Sequence, residues 1–267
     1  IRDYKVTGVQ TCALPIFACF LPMQVNVLWF KRDLRLEDHL PLKQAIERGL
    51  PIILLYIFEP ELMNADDADV RHWRFVYESL MQLKQCLPTH TINIVYATAD
   101  EVFQALKLQF QISAVFSHQE TGNKVSYDRD KRIKLFLKRN EIPWYEYQSN
   151  GVIRGLSNRK TWDKEWHNFM LSQVEDPNLE QLESVKVNWN LKNESKLPEA
   201  IIRPNKVFQP GGLLNAKRYL DSFFMARHRT YSLHISKPEA ARKSCSRLSP
   251  YLADRKSTRL NSSHLVI

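Results

Sequence analysis

The chain has 267 residues, 44% hydrophobic and 11% aromatic, which is ample for a packed core and argues against disorder over most of its length. Lys and Arg number 38 against 29 acidic residues, a formal charge of +9 that suits a polyanionic partner such as DNA without requiring one. Cys12, Cys19, Cys86 and Cys245 show no CxxC or Cys/His spacing, so neither a metal centre nor a disulfide framework is expected, and a reducing, cytoplasmic setting fits.

Residues 1–22 end in an apolar run, Cys12 to Leu21, which Pro15 and its shortness make a poor membrane span. The opening IRDYKVTGVQTCALPIF resembles translated sequencing-adaptor sequence, so this stretch is expected to be foreign and unpacked, with Met23 as the native start. Val25 to Phe30 is an apolar run broken only by Asn26, the mark of a parallel strand buried on both faces and unsuited to a sheet edge. A helix is predicted to begin near Pro41, capped by Asp38 or His39, with Leu42, Ala45 and Ile46 at helical spacing. Pro51 to Phe58 reads as a second buried strand. Asp66 to Leu87 follows as a long helix whose Trp73, Val76, Tyr77, Leu80, Leu83 and Leu87 form one apolar stripe. Thr91 to Ala97 is the third strand, and Asp100 is predicted to cap the helix carrying Val102, Phe103, Leu106 and Phe110. Ala114 to His118, Tyr127 to Arg139 and Trp144 to Gln148 continue the alternation as strand, helix and strand.

Five strands alternating with four helices through right-handed crossovers predict the α/β class, as a Rossmann-like five-stranded parallel sheet with its first strand central. Neither GxGxxG nor GxxxxGK[ST] occurs and only seven glycines are present, so the sheet is not expected to bind NAD or ATP. Lys160 to Met170 puts Trp162, Trp166 and Phe169 on one helical face, as at a domain edge. Leu171 to Asn205 is polar and irregular, with Pro177, Pro198 and Pro204, and is predicted to be a linker. A helix follows Gly211 and Gly212, built on Leu213, Leu214, Ala216, Leu220, Phe223 and Phe224, and ends near Arg227, His228 and Arg229. Ser249 before Pro250 is a strong helix start, and with Ser244, Ser246 and Arg247 beside it the segment suits a phosphate. Spacing alone leaves open a capped helix with a polar lead-in.

Two stretches carry a resemblance. VNVLWFKRDLRLEDHLPL, Val25 to Leu42, resembles the N-terminus of the photolyase/cryptochrome family, with His39 where Asn is usual. CSRLSPYLA, Cys245 to Ala253, resembles the motif that opens the family's FAD-binding domain, and the two stretches stand in the family's order. The resemblance implies an α/β antenna domain at 23–170, a linker at 171–205 and the truncated start of an all-helical FAD-binding domain at 206–253. The tail, 254–267, again reads like adaptor translation. By the same resemblance FAD meets Cys245, Ser246, Arg247, Leu248 and Ser249, with Cys245 standing where many members have Thr, and Tyr231 upstream. Lys237 would meet a DNA phosphate. Gln119 and Glu120 would meet an antenna chromophore of folate or deazaflavin type, although a plain strand-end turn fits them equally.

The implied activity is blue-light, FAD-dependent repair of pyrimidine dimers in DNA, a carbon-carbon lyase reaction of a monomer away from membranes. The family's catalytic residues fall beyond Ala253, so none is assigned to this chain. The alternatives are a cryptochrome-type photoreceptor and, from another class, a flavin-free α/β nucleotide-binding module. The chain by itself is expected to be inactive. It is also expected to hold FAD only near the millimolar range, about 4 kcal/mol of binding free energy, because the apolar enclosure of the flavin ring is missing.

Overall fold

A computed structural model describes residues 22–191 and 196–253; the expected foreign stretches 1–22 and 254–267, apart from Pro22, lie outside the described residues. The strands β1 (Gln24–Phe30), β2 (Ile52–Phe58), β3 (Ile92–Tyr96), β4 (Gln111–His118) and β5 (Trp144–Tyr147) form one parallel sheet in the order β3-β2-β1-β4-β5. β1 is central, as its apolar sequence demands; its one inner polar residue, Asn26, is buried and donates from Nδ2 to the Ala45 carbonyl at 3.2 Å. Val25, Val27 and Trp29 face one core with Val102, Phe103, Ile133 and Leu137. Leu28 and Phe30 face the other, with Leu42, Ile46, Leu80 and Leu83. Each such fully buried side chain contributes about 1.5–3 kcal/mol of transfer free energy, so neither face can be left open to water.

The four main helices that cover the sheet start where a side chain accepts one of their first free amides. His39 caps α1 (Leu40–Glu47), its Nδ1 accepting the Leu42 amide at 3.1 Å. α3 (Val70–Cys86) starts later than the expected Asp66, capped by Asp69, and Pro60–Met63 makes a separate short turn, α2, that sequence reading did not foresee. The predicted cap Asp100 is corrected to Thr98 on α4 (Ala99–Gln109). There Thr98 Oγ1 accepts the Glu101 amide and Glu101 accepts the Thr98 amide at 3.0 Å, a reciprocal box, while Asp100 pairs with Arg132. α5 (Lys124–Arg139) begins three residues before the predicted Tyr127, because Asn123 accepts the Ser126 amide.

The stretch 171–205, predicted as a polar linker, is packed on the sheet over much of its described length. Asp176 accepts the Asp38 amide at 2.7 Å and Glu175 pairs with Lys43. Ile52 donates its amide to Glu183 and accepts from Val185, a parallel bridge at the start of β2. Asn93 Nδ2 donates to the Val185 carbonyl and Asn93 Oδ1 accepts the Val187 amide, both at 2.8 Å. Leu182 and Val187 enter the two cores.

The remaining helices are α6 (Trp162–Met170), α7 (Glu199–Ile202), α8 (Leu213–Met225), α9 (Tyr231–His234), α10 (Pro238–Ser244) and α11 (Ser249–Ala253). α6 lies at an edge as expected, with no fully buried residue; Trp162 Nε1 donates to the Gly151 carbonyl at 3.1 Å. The helical part docks on α3 through Tyr251, whose ring lies 5.0 Å from that of Phe75 and whose hydroxyl donates to the Pro210 carbonyl. Gly211 makes that approach possible, since a Cβ there would stand 2.0 Å from the Phe75 carbonyl oxygen. Among the described residues no helix is long and apolar enough to cross a membrane.

Candidate functional site

In an open parallel sheet the loops diverge at the carboxyl ends of the strands where the winding direction switches, here between β1 and β4, and ligands bind in the crevice this opens. A cleft of about 1020 Å3 lies there, between the ends of β1 and β2, helix α3 and the helical part. Its floor is a buried charge cluster. Lys31, the first residue after β1, donates to Asp130 at 2.9 Å and sits over the rings of Trp29 and Trp144. Burial pushes its ammonium below the ordinary lysine range, with Asp130 opposing. Arg129 pairs with Glu59, with Asp130 at 3.0 Å and with Glu120 at 3.6 Å. Burial alone would lower the guanidinium, but these carboxylates hold it raised, while burial raises Glu59.

One buried donor of the cleft lining, Trp73 Nε1, makes no hydrogen bond among the described residues. Leaving such a donor unmade costs about 1–3 kcal/mol, so it favours a ligand bearing an acceptor atom. Glu120 and, from the far end of the chain, Arg247 and Ser249 line the same cleft. Gln119 does not; its amide donates to the Tyr147 carbonyl at 2.7 Å.

The loop Cys245–Leu248 between α10 and α11 has a backbone suited to anions. Arg247 sits at φ 59°, a left-handed conformation costing about 1–2 kcal/mol for a residue with a Cβ. Gln209 holds it there, accepting from Arg247 Nε at 3.2 Å and donating to the Arg247 carbonyl at 2.8 Å. Among the described residues the amides of Ser246, Arg247 and Leu248 have no protein acceptor. A left-handed residue among free amides is how a chain turns successive N–H groups toward one anion.

The remaining candidates stand apart from the cleft. The Cys245 and Ser246 carbonyls accept from Arg227, and Leu248 packs beside Tyr251. Tyr231 opens α9 with its ring against Phe223. Lys237 is exposed at the start of α10. Sequence reading missed Gln209, Arg227, Trp73 and Arg129, whose roles follow from contacts that no local spacing signals.

One further cluster joins Asp33, His39 and His118, all buried, with ligand atoms within 4.8 Å of one another. Because His39 Nδ1 accepts the Leu42 amide, the neutral ring carries its proton on Nε2, which faces Asp33 Oδ2 at 3.0 Å but out of line for a hydrogen bond. His118 Nδ1 lies 2.5 Å from the same oxygen. A metal would need the Nε2 lone pair that this tautomer lacks, so the arrangement suits a carboxylate held by imidazole N–H groups.

The sequence profile of the DNA photolyase family matches residues 26–161. A deoxyribodipyrimidine photo-lyase of Alkalihalophilus pseudofirmus is 28% identical over 131 residues, 46% of this chain and 26% of that protein. A cryptochrome DASH of Gloeobacter violaceus is 27% identical over 117 residues, 41% of this chain and 23% of that protein. The fold is shared with the crystal structure of a bacterial class III photolyase from Agrobacterium tumefaciens, with a TM-score of 0.65 at 21% identity, covering 91% of this chain and 52% of that one. The chain thus spans about half the length of that structure, and the segments matched in the two curated relatives are shorter still.

Proposed function

The chain belongs to the DNA photolyase family, and we propose that it supplies the α/β domain and the first flavin-binding element of a blue-light, FAD-dependent enzyme that repairs pyrimidine dimers in DNA. The observation that carries this reading is the loop Cys245–Leu248, with Arg247 left-handed and its neighbouring amides free. The donor set fits a diphosphate: the amides of Ser246, Arg247 and Leu248 and the Ser249 hydroxyl serve anionic oxygens, and Arg247 adds a positive charge. Bound there, the flavin supplies the light-driven electron on which repair depends.

The chain's own residues orient that group and bind the nucleic acid. Gln209 keeps the loop in its strained form, and Tyr251 ties it to helix α3. The exposed Lys237, with the net charge of +9, favours DNA phosphates through counterion release. The cleft beside Glu120, with the free indole donor of Trp73, suits a second, acceptor-bearing chromophore acting as antenna.

The test joins this chain to the C-terminal half of a family photolyase. The fusion is expected to retain FAD and to repair a thymine-dimer oligonucleotide in blue light but not in the dark. The 267-residue chain alone, incubated with FAD and freed of excess, is expected to stay colourless. Retained FAD without light-dependent repair would favour the photoreceptor reading; a stoichiometric yellow product from the chain alone would overturn the assignment of an incomplete flavin site.

A further inference from the structure

We infer that Arg227 is a positioning residue of the loop Cys245–Leu248, anchoring it from behind so that its amides stay turned toward an anion; the inference rests on reading that loop as a diphosphate site. Arg227 follows the end of α8 and reaches a loop 18 residues further along the chain. Its Nη1 donates to the Cys245 carbonyl. Its Nη2 lies 2.6 Å from the Tyr219 carbonyl, 2.8 Å from Ser222 Oγ and 3.4 Å from the Ser246 carbonyl. The guanidinium also lies 5.7 Å from the Tyr219 ring and 6.0 Å from that of Phe223, which fixes its plane.

An arginine that only capped α8 would stop at Tyr219 and Ser222. Here Nη1 goes instead to the Cys245 carbonyl, and Nη2, already serving the helix end, shares a longer contact of 3.4 Å with the next carbonyl of the loop, that of Ser246, and this has a stereochemical result. A trans peptide holds the carbonyl of one residue and the amide of the next on opposite sides of its plane. Tying the Cys245 and Ser246 carbonyls to Arg227 therefore sends the amides of Ser246 and Arg247 away from it, and these are amides with no acceptor among the described residues. Arg227 thus aims the donors without touching the ligand. The planar, many-donor fork is needed for this; a lysine is a single point of charge and cannot serve the helix end and both carbonyls together.

The test is an amide-resolved NMR titration of the full chain with ADP as the diphosphate probe. In the native chain the Ser246 and Arg247 amides are expected to shift saturably, and in Arg227→Met and Arg227→Lys the apparent Kd is expected to rise about fivefold or more. The signals of β1 to β5 should stay in place, and methylguanidinium should restore the response in Arg227→Gly, a rescue that a mere loss of folding would not permit. If the native amides ignore ADP, the diphosphate reading of the loop fails and this inference with it. If they respond and the variants bind with less than that change, the role of Arg227 alone is overturned. Should Arg227→Met lose the dispersed signals of residues 206–253, Arg227→Lys decides on the same threshold.

Discussion

Asp33 carries an ionised carboxylate inside the β1–α1 turn. Burial pushes it up, but donation from His118 and the charge-favouring approach of His39 hold it well below the usual carboxylate range, and the Lys31 amide donates to its other oxygen at 2.7 Å. Its contribution to stability is therefore present above about pH 4 and lost as the pH falls further. His118 acts earlier. Burial pulls its imidazole down to about 3, with Asp33 opposing, whereas the unfolded ring takes a proton near pH 6.5. Between those values the unfolded state binds more protons, so stability falls as the pH is lowered, by up to about 1.4 kcal/mol per pH unit. Urea unfolding at pH 7 and pH 5 should show the native chain losing about 1–2 kcal/mol more than His118→Gln; equal losses would contradict the neutral, buried imidazole. Asp33 and His39 lie within the stretch whose wording marks the family. Their partner His118, 85 residues beyond Asp33, carries no local sign of the pairing.

The strands were legible as elements because each is a short, mostly apolar run between helical patterns, with β1 and β2 buried on both faces. Cap positions were less so, since Thr98, Asp100 and Glu101 all have side chains able to accept an amide and only geometry selects Thr98. The packing of the stretch 171–205 on the sheet was illegible for a different reason. Its anchoring residues Leu182, Val185 and Val187 have neither helical nor sustained alternating spacing, and it borrows hydrogen bonds from β2 and from the side chain of Asn93. Asn93 thus acts as the partner of a missing strand. Asn93→Leu leaves the Val187 amide and the Val185 carbonyl without that partner and is expected to cost about 2–4 kcal/mol, each orphaned group contributing about 1–3. Urea unfolding gives the loss, and amide exchange at Val187 should rise with it; a loss below 1 kcal/mol, read against about 1 kcal/mol for one ordinary bond, would show that the stretch is held elsewhere.

At the scale of the molecule, the contact of α11 with α3 brings the family's two motif stretches to one cleft: Lys31 and Arg32 line it from the first, Arg247 and Ser249 from the second. Tyr251 is central to that contact, fully buried among Phe75, Ala216, Tyr219 and Leu248. Tyr251→Ala removes an aromatic of the size whose loss costs about 3–5 kcal/mol in a core. The expected outcome is release of the helical part from a sheet that stays folded. Trypsin should then cut at Arg227 and Arg229 much faster than in the native chain, while the thermal transition of the sheet shifts little. A single cooperative loss of both parts would mean instead that the docking contact belongs to one folding unit.

By itself the sequence determined the five parallel strands, the central place of β1, the four main helices between the strands and the two stretches that identify the family, because each is written in neighbouring residues as a period or a motif. Tertiary structure alone decided that Glu120, Arg247 and Ser249 share one cleft, that Gln209 holds the left-handed Arg247, that Arg227 grips the loop and that Asp33 meets His118. These pairings depend on hydrogen-bond direction and on close approach between distant segments, for which a one-dimensional pattern holds no signal until the sheet has brought its ends together.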